Sequence, residues 1–385
     1  MLEESINKLV DYIESKDLKG YDPYDVLNSF FNFKLLGKWG PVLAIQFLKR
    51  NPINIRPLLG IKRDYNPKGM GLFLKAYCLL YKKTGEKKYI EKAAWIFGWL
   101  KDNYSKGYSG HAWGYNFDWA SPGSYLKKYT PSVVVTSFVV DGLFEYYKVT
   151  QEQEVKEIIV SAAEYIKKDI PVIELHEGIS FSYTHLSKGC CYNASLLAAE
   201  ILAKSDFVQG KSENLALVNR SIDFVLSKQK ETGEWWYSFS PVNNSERKQI
   251  DFHQGFILVS LFNLNGLLQV PRKDVNRSIE KGLVFYRQYQ FKVNGRSFWR
   301  LPQSWPVDIH NQSQGVITFT RLKCFDKTHF EFAKQIANWT IENMQSKSGY
   351  FYYRKTPFFS NRIPYIRWSQ AWMLLALTEL YINEE

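Results

Sequence analysis

The sequence has 385 residues, a formal net charge of +12 at pH 7 and 45% hydrophobic residues. This apolar content is enough for a sizeable core, which excludes an intrinsically disordered chain. The positive charge indicates an anionic partner, such as a nucleic acid, a lipid headgroup or an acidic sugar.

The N-terminal segment is acidic and amphipathic, and it lacks the basic start and apolar run of a signal peptide. No apolar stretch approaches the roughly 20 residues that span a bilayer. The four cysteines, Cys78, Cys190, Cys191 and Cys324, show no disulfide-framework spacing. The sequence therefore predicts a cytoplasmic protein without a membrane span.

Helical patterns then recur in pairs, with a period of about sixty residues. The first helix of each pair is apolar nearly all round, and the second helix has one apolar stripe. This difference predicts an inner ring and an outer ring of helices. A helix over 3–15 and a segment over 20–65 precede the pairs, and a last helix runs over 367–382. The pairs are 67–84 with 86–102, 131–148 with 152–169, 192–205 with 212–229, 252–268 with 273–290, and 312–325 with 328–345.

The connections alternate in length, and this alternation gives the architecture. Inner-to-outer links such as "KTGE" are short, whereas outer-to-inner links run to about twenty residues, which is unusual in a compact domain. All the long loops therefore fall at one rim. Six inner and six outer helices predict an all-α (α/α)6 toroid, a six-hairpin barrel. We expect one domain, with 1–65 as N-terminal helices that pack on and close the ring formed by 66–385.

The long loops concentrate aromatic and ionisable residues. Five of the six histidines lie in or beside them: His111, His176, His185, His253 and His310. Two loops end in the related triplets "DFH" and "DIH", which place Asp251 before His253 and Asp308 before His310. An aspartate there is explained equally well as a helix cap or as a functional carboxylate. Inner-helix N-termini converge on this rim with the arginines, which favours an anionic ligand.

The stretches "HAWGYNFDW" and "SQAWMLLALTELY", set in this helical period, resemble the six-hairpin glycosidase-like (α/α)6 toroids. More narrowly, they are similar to bacterial proteins encoded with genes for cell-surface polysaccharide biosynthesis. That superfamily includes glycoside hydrolases, unsaturated uronyl hydrolases, uronate lyases and sugar epimerases. The resemblance thus implies an oligo- or polysaccharide ligand and leaves the reaction open.

Three functions compete. A glycoside hydrolase needs two carboxylates, for which Asp118 and Asp251 are the candidates. A uronate lyase or epimerase needs a cation, a base and an acid, which an inventory of Tyr, His and Arg supplies somewhat better. A non-catalytic glycan-binding or assembly protein remains the third alternative. We expect lyase or epimerase chemistry on an acidic, uronate-containing cell-surface polysaccharide or its precursor.

Each candidate residue has an expected role at this rim. Tyr115 and His253 are proposed for proton transfer, with Asp118 and Asp251 as carboxylate partners and His310 as a second base. The candidate substrate-binding residues are His111, Trp113, Tyr183, His185, Trp236, Trp299, Arg300, Tyr353, Arg354 and Arg367. Zinc ligation by Cys190 and Cys191 lacks a second ligand cluster, so no metal and no cofactor are expected. Aromatic residues confined to one mouth also argue against nucleic acid.

Overall fold

The computed structural model describes residues 1–384 and is an (α/α)6 toroid, so the predicted fold class is confirmed. The inner ring consists of α3 (Pro67–Thr84), α5 (Val133–Thr150), α7 (Tyr192–Gln209), α9 (His253–Leu267), α11 (Ile309–Arg321) and α13 (Trp372–Ile382). The outer ring consists of α1 (Leu2–Glu14), α4 (Lys87–Asp102), α6 (Gln153–Asp169), α8 (Leu215–Ser227), α10 (Lys273–Gln290) and α12 (Thr328–Met344). The ring closes because α13 packs on both α3 and α1.

Local sequence signals set the helix boundaries. The Asn66 side chain accepts a hydrogen bond from the Gly69 N–H at 3.2 Å, and Pro67 is the first residue of α3. The fifth inner helix begins at Ile309, three residues before the predicted start, because the Asp308 side chain caps the His310 N–H at 3.1 Å. The predicted last helix starts with a π-helical segment, Ile366–Ala371, before α13.

Close contact between the first two inner helices depends on glycine. A Cβ atom on Gly71 would lie 2.6 Å from the Phe138 carbonyl oxygen, and one on Gly142 would lie 2.4 Å from the Gly71 carbonyl oxygen. Only the absence of a side chain lets α3 and α5 approach this closely. The ring is thereby held at its tightest between these two helices.

The long loops contain short antiparallel strands that the sequence analysis did not predict. They form the hairpin β1 (Trp119–Ser121) with β2 (Ser124–Leu126), and β3 (Val172–Leu175) with β4 (Gly178–Phe181). Two three-stranded sheets combine β5 (Cys190–Cys191), β6 (Ser238–Ser240) and β7 (Ser245–Arg247), and β8 (Val307–Asp308), β9 (Arg354–Lys355) and β10 (Ser360–Asn361). Because each three-stranded sheet joins two consecutive loops, the rim is cross-linked at these two places.

A repeated glycine anchors each long loop on the next outer helix. A Cβ atom on Gly110 would lie 1.8 Å from the Ser161 carbonyl oxygen of α6, so a side chain has no room there. The same close contact between a loop glycine and the backbone of an outer helix recurs in the other loops. The pairs are Gly178 with Arg220, Gly233 with Lys281, Gly295 with Gln335, and Gly349 with Lys8. The sequence period therefore has a direct physical basis in these five contacts.

Inner-helix glutamines hold the start of three loops. In each case the side-chain oxygen accepts a backbone N–H two residues beyond the repeated glycine, at 2.7 to 3.1 Å. The pairs are Gln254 with Trp235, Gln312 with Ser297, and Gln370 with Phe351. The glutamines that the sequence places at helix openings are thus part of the loop scaffold.

A network of charges crosses the inside of the ring below the mouth. Asp141 accepts hydrogen bonds from Lys75 and Lys204, each at 2.7 Å. Glu379 pairs with Arg321 and lies 3.5 Å from Lys75. Glu200 accepts hydrogen bonds from Lys204 at 3.2 Å and from Asn263 at 3.1 Å. Every inner helix contributes to this network, which is balanced in charge because three cations face three carboxylates.

Candidate active site

The mouth of the toroid contains a histidine–aspartate dyad at the start of α9. The His253 Nδ1–H donates to Asp251 Oδ1 at 2.5 Å, and Gln249 donates to Asp251 Oδ2 at 2.8 Å. Because a carboxylate only accepts, this bond places a proton on Nδ1 and leaves Nε2 as the ring nitrogen that is not engaged by Asp251. Burial raises the pKa of Asp251, but His253 and the other donors outweigh it, so this pKa lies below its ordinary value. An imidazole oriented in this way by a carboxylate has the geometry of a general base with an orienting partner.

His310 lies beside the dyad within an aromatic layer. Its ring centroid is 4.4 Å from that of Phe252, 4.6 Å from Trp368 and 4.7 Å from Trp372. Neither ring nitrogen has a hydrogen-bond partner. Burial, with Lys68 and Arg367 nearby, lowers the pKa of His310 well below its ordinary value, so the imidazole is neutral.

Lys68, near the start of α3, is a buried lysine without an ion-pair partner. Its side chain is 4% exposed, and Nζ lies 4.2 Å from the Phe138 ring centroid and 5.2 Å from that of Trp372. Among residues 1–384 it has no hydrogen-bond acceptor and no ion-pair partner. Burial lowers the pKa of Lys68 well below its ordinary value. Such a group is rare in proteins unless a ligand completes it.

Three tyrosines form a wall of the mouth. Tyr237 packs edge-on against the His253 ring, with centroids 4.9 Å apart. Tyr115 stacks on Phe117 at 5.1 Å and lies under the Arg367 guanidinium at 4.8 Å. Burial raises the pKa of Tyr115, and the positive charge of Arg367 opposes this rise. The wall therefore offers protonated phenols.

The carboxylates at the mouth are already paired with cations. Arg367 donates to both oxygens of Asp22, at 2.6 and 2.8 Å. Arg354 Nε donates to Asp308 at 2.7 Å, and the Trp368 indole N–H donates to the other oxygen at 2.8 Å. Asp308 is thus a helix cap and an ion-pair partner of Arg354, and a functional role for this carboxylate stays a prediction. Arg367, a candidate substrate-binding residue, donates both of these hydrogen bonds to Asp22 and is therefore already paired.

Other cations at the mouth keep donors free for a ligand. Arg300 approaches Asp251 only through Nε, at 3.4 Å, and its side chain is 39% exposed. Its guanidinium lies 5.3 Å from the Trp299 ring centroid, and the Arg354 guanidinium lies 5.8 Å from the same centroid. Lys49, from the helix α2 (Gly40–Arg50) outside the rings, donates to the Tyr24 hydroxyl at 2.5 Å. Burial lowers the pKa of Lys49 to about 8.

Several predicted residues lie away from this cluster. Trp113 is fully buried, and its indole N–H donates to the Leu100 carbonyl at 3.0 Å, so it is core rather than a stacking platform. Asp118 is bound within its own hairpin by the Tyr125 hydroxyl and the Lys128 N–H. His111 hydrogen-bonds to Ser161 of α6 at 2.9 Å.

The remaining predicted residues are also spread over the rim. His185 lies against Tyr108 at 5.3 Å, towards the outer ring, and Trp236 lies between Lys230 and Lys248. Tyr353 is buried beside Arg354, with its hydroxyl unpaired. The structure thus brings together Tyr115, Tyr183, His253, Asp251 and His310 around the mouth.

Sequence reasoning missed several residues of the mouth. Lys68 looked like an ordinary helix residue, and Asp22, Tyr24 and Lys49 lie in the segment before the repeats. Trp368 donates to Asp308 and lies 5.7 Å from Tyr24. The sequence signal that could have found Lys68 is a lysine within a helix that is otherwise apolar in its first two turns.

Two further observations concern absences among residues 1–384. No cluster of three or more His, Cys, Asp or Glu side chains has the arrangement of a metal site. None of the helices in the described chain has the length and apolarity needed to cross a membrane.

Cys191 donates from Sγ to the Asn193 side-chain oxygen at 3.0 Å, and burial raises the pKa of the Cys191 thiol to about 11.

No protein-family model and no curated protein matches the sequence. Solved structures do match the fold. A sugar epimerase from a ruminal bacterium has a TM-score of 0.64 at 14% identity, covering 84% of this chain and 90% of its own. Cellobiose 2-epimerase from Bacillus thermoamylovorans B4167 has a TM-score of 0.68 at 13% identity, covering 83% and 87%. An unsaturated glucuronyl hydrolase specific for heparin has a TM-score of 0.63 at 11% identity, covering 98% and 95%. The resemblance to six-hairpin glycosidase-like toroids is therefore confirmed for the fold.

Proposed function

We propose that the chain is a carbohydrate-active enzyme that moves a proton at the carbon beside the carboxylate of an anionic, uronate-containing saccharide. The outcome is either epimerisation at that carbon or β-elimination across the adjacent glycosidic bond. The observation that carries the proposal is the His253–Asp251 dyad, whose Nε2 shares the mouth with Lys68, which has no ion-pair partner, and with Arg300, which approaches Asp251 only through Nε at 3.4 Å.

The steps follow from these groups. His253 Nε2 accepts the proton on the carbon next to the carboxylate, and the electron pair moves into the carboxylate. Lys68 and Arg300 stabilise the negative charge that develops there. Tyr115, on the loop across the mouth, then returns a proton to the carbon for epimerisation. In elimination, Tyr115 instead protonates the departing glycosidic oxygen as the double bond forms.

Carboxylate-based hydrolysis has less support. A glycoside hydrolase requires one carboxylic acid with a raised pKa and a second, free carboxylate. Asp251 has a lowered pKa, and Asp22 and Asp308 are bound by arginines. Asp118 is held within its own hairpin. None of these four carboxyl groups has the environment of a general acid.

The saccharide class is supported by two independent features. The structurally similar proteins include two sugar epimerases and an unsaturated glucuronyl hydrolase. The mouth also combines half-exposed aromatic rings, such as Trp299 and Tyr237, with free cations. Flat aromatic faces stack on sugar rings and the cations match a carboxylate.

The test is incubation with uronic-acid oligosaccharides in D2O, followed by proton NMR and ultraviolet absorbance. Deuterium at the carbon beside the carboxylate indicates epimerisation, and a new conjugated double bond indicates elimination. His253→Gln should lower the rate about 10²–10⁴-fold, as expected for loss of a general base. His176→Gln, at a loop histidine outside the mouth, is the matched control and should retain the wild-type rate.

Two outcomes would overturn the proposal. New reducing ends without deuterium or a double bond would indicate a glycoside hydrolase. Binding of the oligosaccharides without any product would indicate a glycan-binding protein. Neutral cellobiose as a parallel substrate tests the anionic requirement, because its turnover at a comparable rate would remove the assigned role of Lys68 and Arg300.

A further inference from the structure

The segment between the N-terminal helix and the first inner helix exposes an unusual amount of apolar surface. Of the 22 exposed large hydrophobic side chains in the described chain, nine lie within residues 30–58, each between 39% and 79% exposed. We call them the apolar face: Phe30, Phe31, Leu35, Leu36, Trp39, Leu43, Phe47, Ile53 and Leu58. Single exposed apolar residues are ordinary, but a cluster of this kind indicates an interaction surface.

Local geometry makes the apolar face continuous. Trp39, Leu43 and Phe47 follow one another at four-residue spacing along α2, so they share one side of that helix. The opposite side of α2 is buried through Ile45 and Leu48. The Phe30 N–H donates to the Leu59 carbonyl at 3.2 Å, which brings Phe30 beside Leu58. The helix therefore has two apolar sides, and only one of them is covered.

The charge around this face has a single sign. No Asp or Glu occurs between Asp25 and Asp64, whereas seven Lys and Arg residues do. Arg56 is buried and paired with Asp25, and Lys49 is half-buried at the mouth. The other five are exposed and have no ion-pair partner in residues 1–384: Lys34, Lys38, Arg50, Lys62 and Arg63.

From this combination we infer that the apolar face docks on the surface of an anionic lipid bilayer. Aromatic and leucine side chains enter the boundary between headgroups and acyl chains, while the surrounding lysines and arginines meet anionic headgroups. A second copy of the chain fits less well, because a two-fold contact through this face would bring like charges together without any acidic partner. The inference is independent of the proposed reaction.

The docked orientation follows from contacts that join this segment to the mouth. Lys49 of α2 donates to Tyr24, and the Tyr24 ring lies 5.7 Å from that of Trp368. Asn361, in the last long loop, donates to the Asn51 carbonyl at 3.2 Å. Docking would therefore hold the loop rim, with its mouth, beside the headgroups and leave the opposite end of the toroid in water.

The test is co-sedimentation of the 385-residue chain with vesicles, without any saccharide. We expect binding to mixed phosphatidylglycerol and phosphatidylcholine vesicles, weaker binding to phosphatidylcholine alone, and weakening by salt. Leu43→Gln with Phe47→Gln should lower the partition coefficient at least about tenfold on mixed vesicles. Lys34→Glu with Lys38→Glu should lower it at least about tenfold on mixed vesicles and leave phosphatidylcholine binding unchanged.

Matched controls use the opposite end of the toroid. Phe207→Gln with Val270→Gln removes two comparably exposed apolar side chains, and Lys273→Glu with Lys327→Glu reverses two exposed charges. Both control variants should bind like the wild type, and circular dichroism should give the same helicity for all. Equal losses in the controls, or no binding to mixed vesicles at low salt, would overturn the inference. The chain could instead form a dimer without lipid that does not bind vesicles. If Leu43→Gln with Phe47→Gln dissociated such a dimer, the apolar face would be a contact between two copies of the chain, and the inference would be overturned.

Discussion

Replacing Lys68 by methionine should stabilise the fold while weakening the site. Lys68 is buried, and its ammonium has aromatic rings around it but no anion. Methionine keeps the length and apolar stem of the side chain and removes the charge. The opposite effects on stability and ligand binding distinguish a functional cation from a structural one.

The magnitude follows from two opposing terms. Moving an ammonium out of water costs several kcal/mol even after relaxation. Cation–π interactions with the surrounding rings offset about 2 kcal/mol of this cost. We therefore expect Lys68→Met to raise the free energy of unfolding by about 2–3 kcal/mol. For a chain of 385 residues the entropy of unfolding is about 0.8 kcal/mol/K, so Tm should rise by about 3 °C.

The effect should depend on pH in one direction. Burial and Arg367 lower the pKa of Lys68 in the folded chain, whereas the unfolded chain has the ordinary lysine value. Between these two values the unfolded state binds more protons, so wild-type stability rises with pH. The advantage of Lys68→Met should therefore shrink as pH rises from neutral towards the ordinary lysine pKa.

The assay is thermal unfolding of both proteins from neutral pH to about pH 10, with calorimetric titration of uronic-acid oligosaccharides. Loss of a charged hydrogen bond should weaken binding about 10- to 100-fold. Lys75→Met is the matched control, because Lys75 is equally buried but paired with Asp141 and Glu379, and it should destabilise the fold. A lower Tm for Lys68→Met, or unchanged oligosaccharide binding, would refute the reasoning.

Two further predictions concern stability. Asp141→Asn leaves Lys75 and Lys204 without their shared carboxylate, and should lower the free energy of unfolding by about 3–5 kcal/mol in chemical denaturation. Burial raises the pKa of Asp141, but Lys204 and Lys75 bring it well below the ordinary value. The stabilisation by the Asp141 ion pairs is therefore present near neutral pH and lost on acidification. An acid-unfolding transition that is the same in Asp141→Asn and the wild type would contradict this prediction. Trp113→Ala should lower the free energy of unfolding by about 3–5 kcal/mol, because this side chain is fully buried. Trp299→Ala, at the mouth, should lower it less and should weaken oligosaccharide binding. Equal losses of stability in the two variants would contradict these placements.

Part of the candidate site was readable in the sequence. The triplets before the fourth and fifth inner helices placed His253 beside Asp251 and His310 beside Asp308, because a residue one or two positions before a helix start lies next to its first turn. Tyr115 and Tyr183 were predicted from loops that converge on one rim. Such inferences work where the relevant neighbours lie within a few residues of each other, or where the helix order itself brings loops together.

Other parts of the site depended on contacts between distant segments. Asp22 and Arg367 are 345 residues apart, and no local pattern indicates that they form a buried ion pair. Trp113 and Trp299 both lie in aromatic loops, yet Trp113 fills the core beneath the rim and Trp299 borders the free cations. Burial of a loop residue depends on the outer helix against which its loop packs, which sequence alone does not specify.

The sequence by itself determined the toroid, because the 3.6-residue period and the alternation of short and long links are local properties that repeat along the chain. It did not reveal the repeated glycines as loop anchors, although they set the period. Only the tertiary structure decided which charges have partners. Lys68 and the apolar face both became visible as features without a partner, and a missing partner can be recognised only once every neighbour is in place.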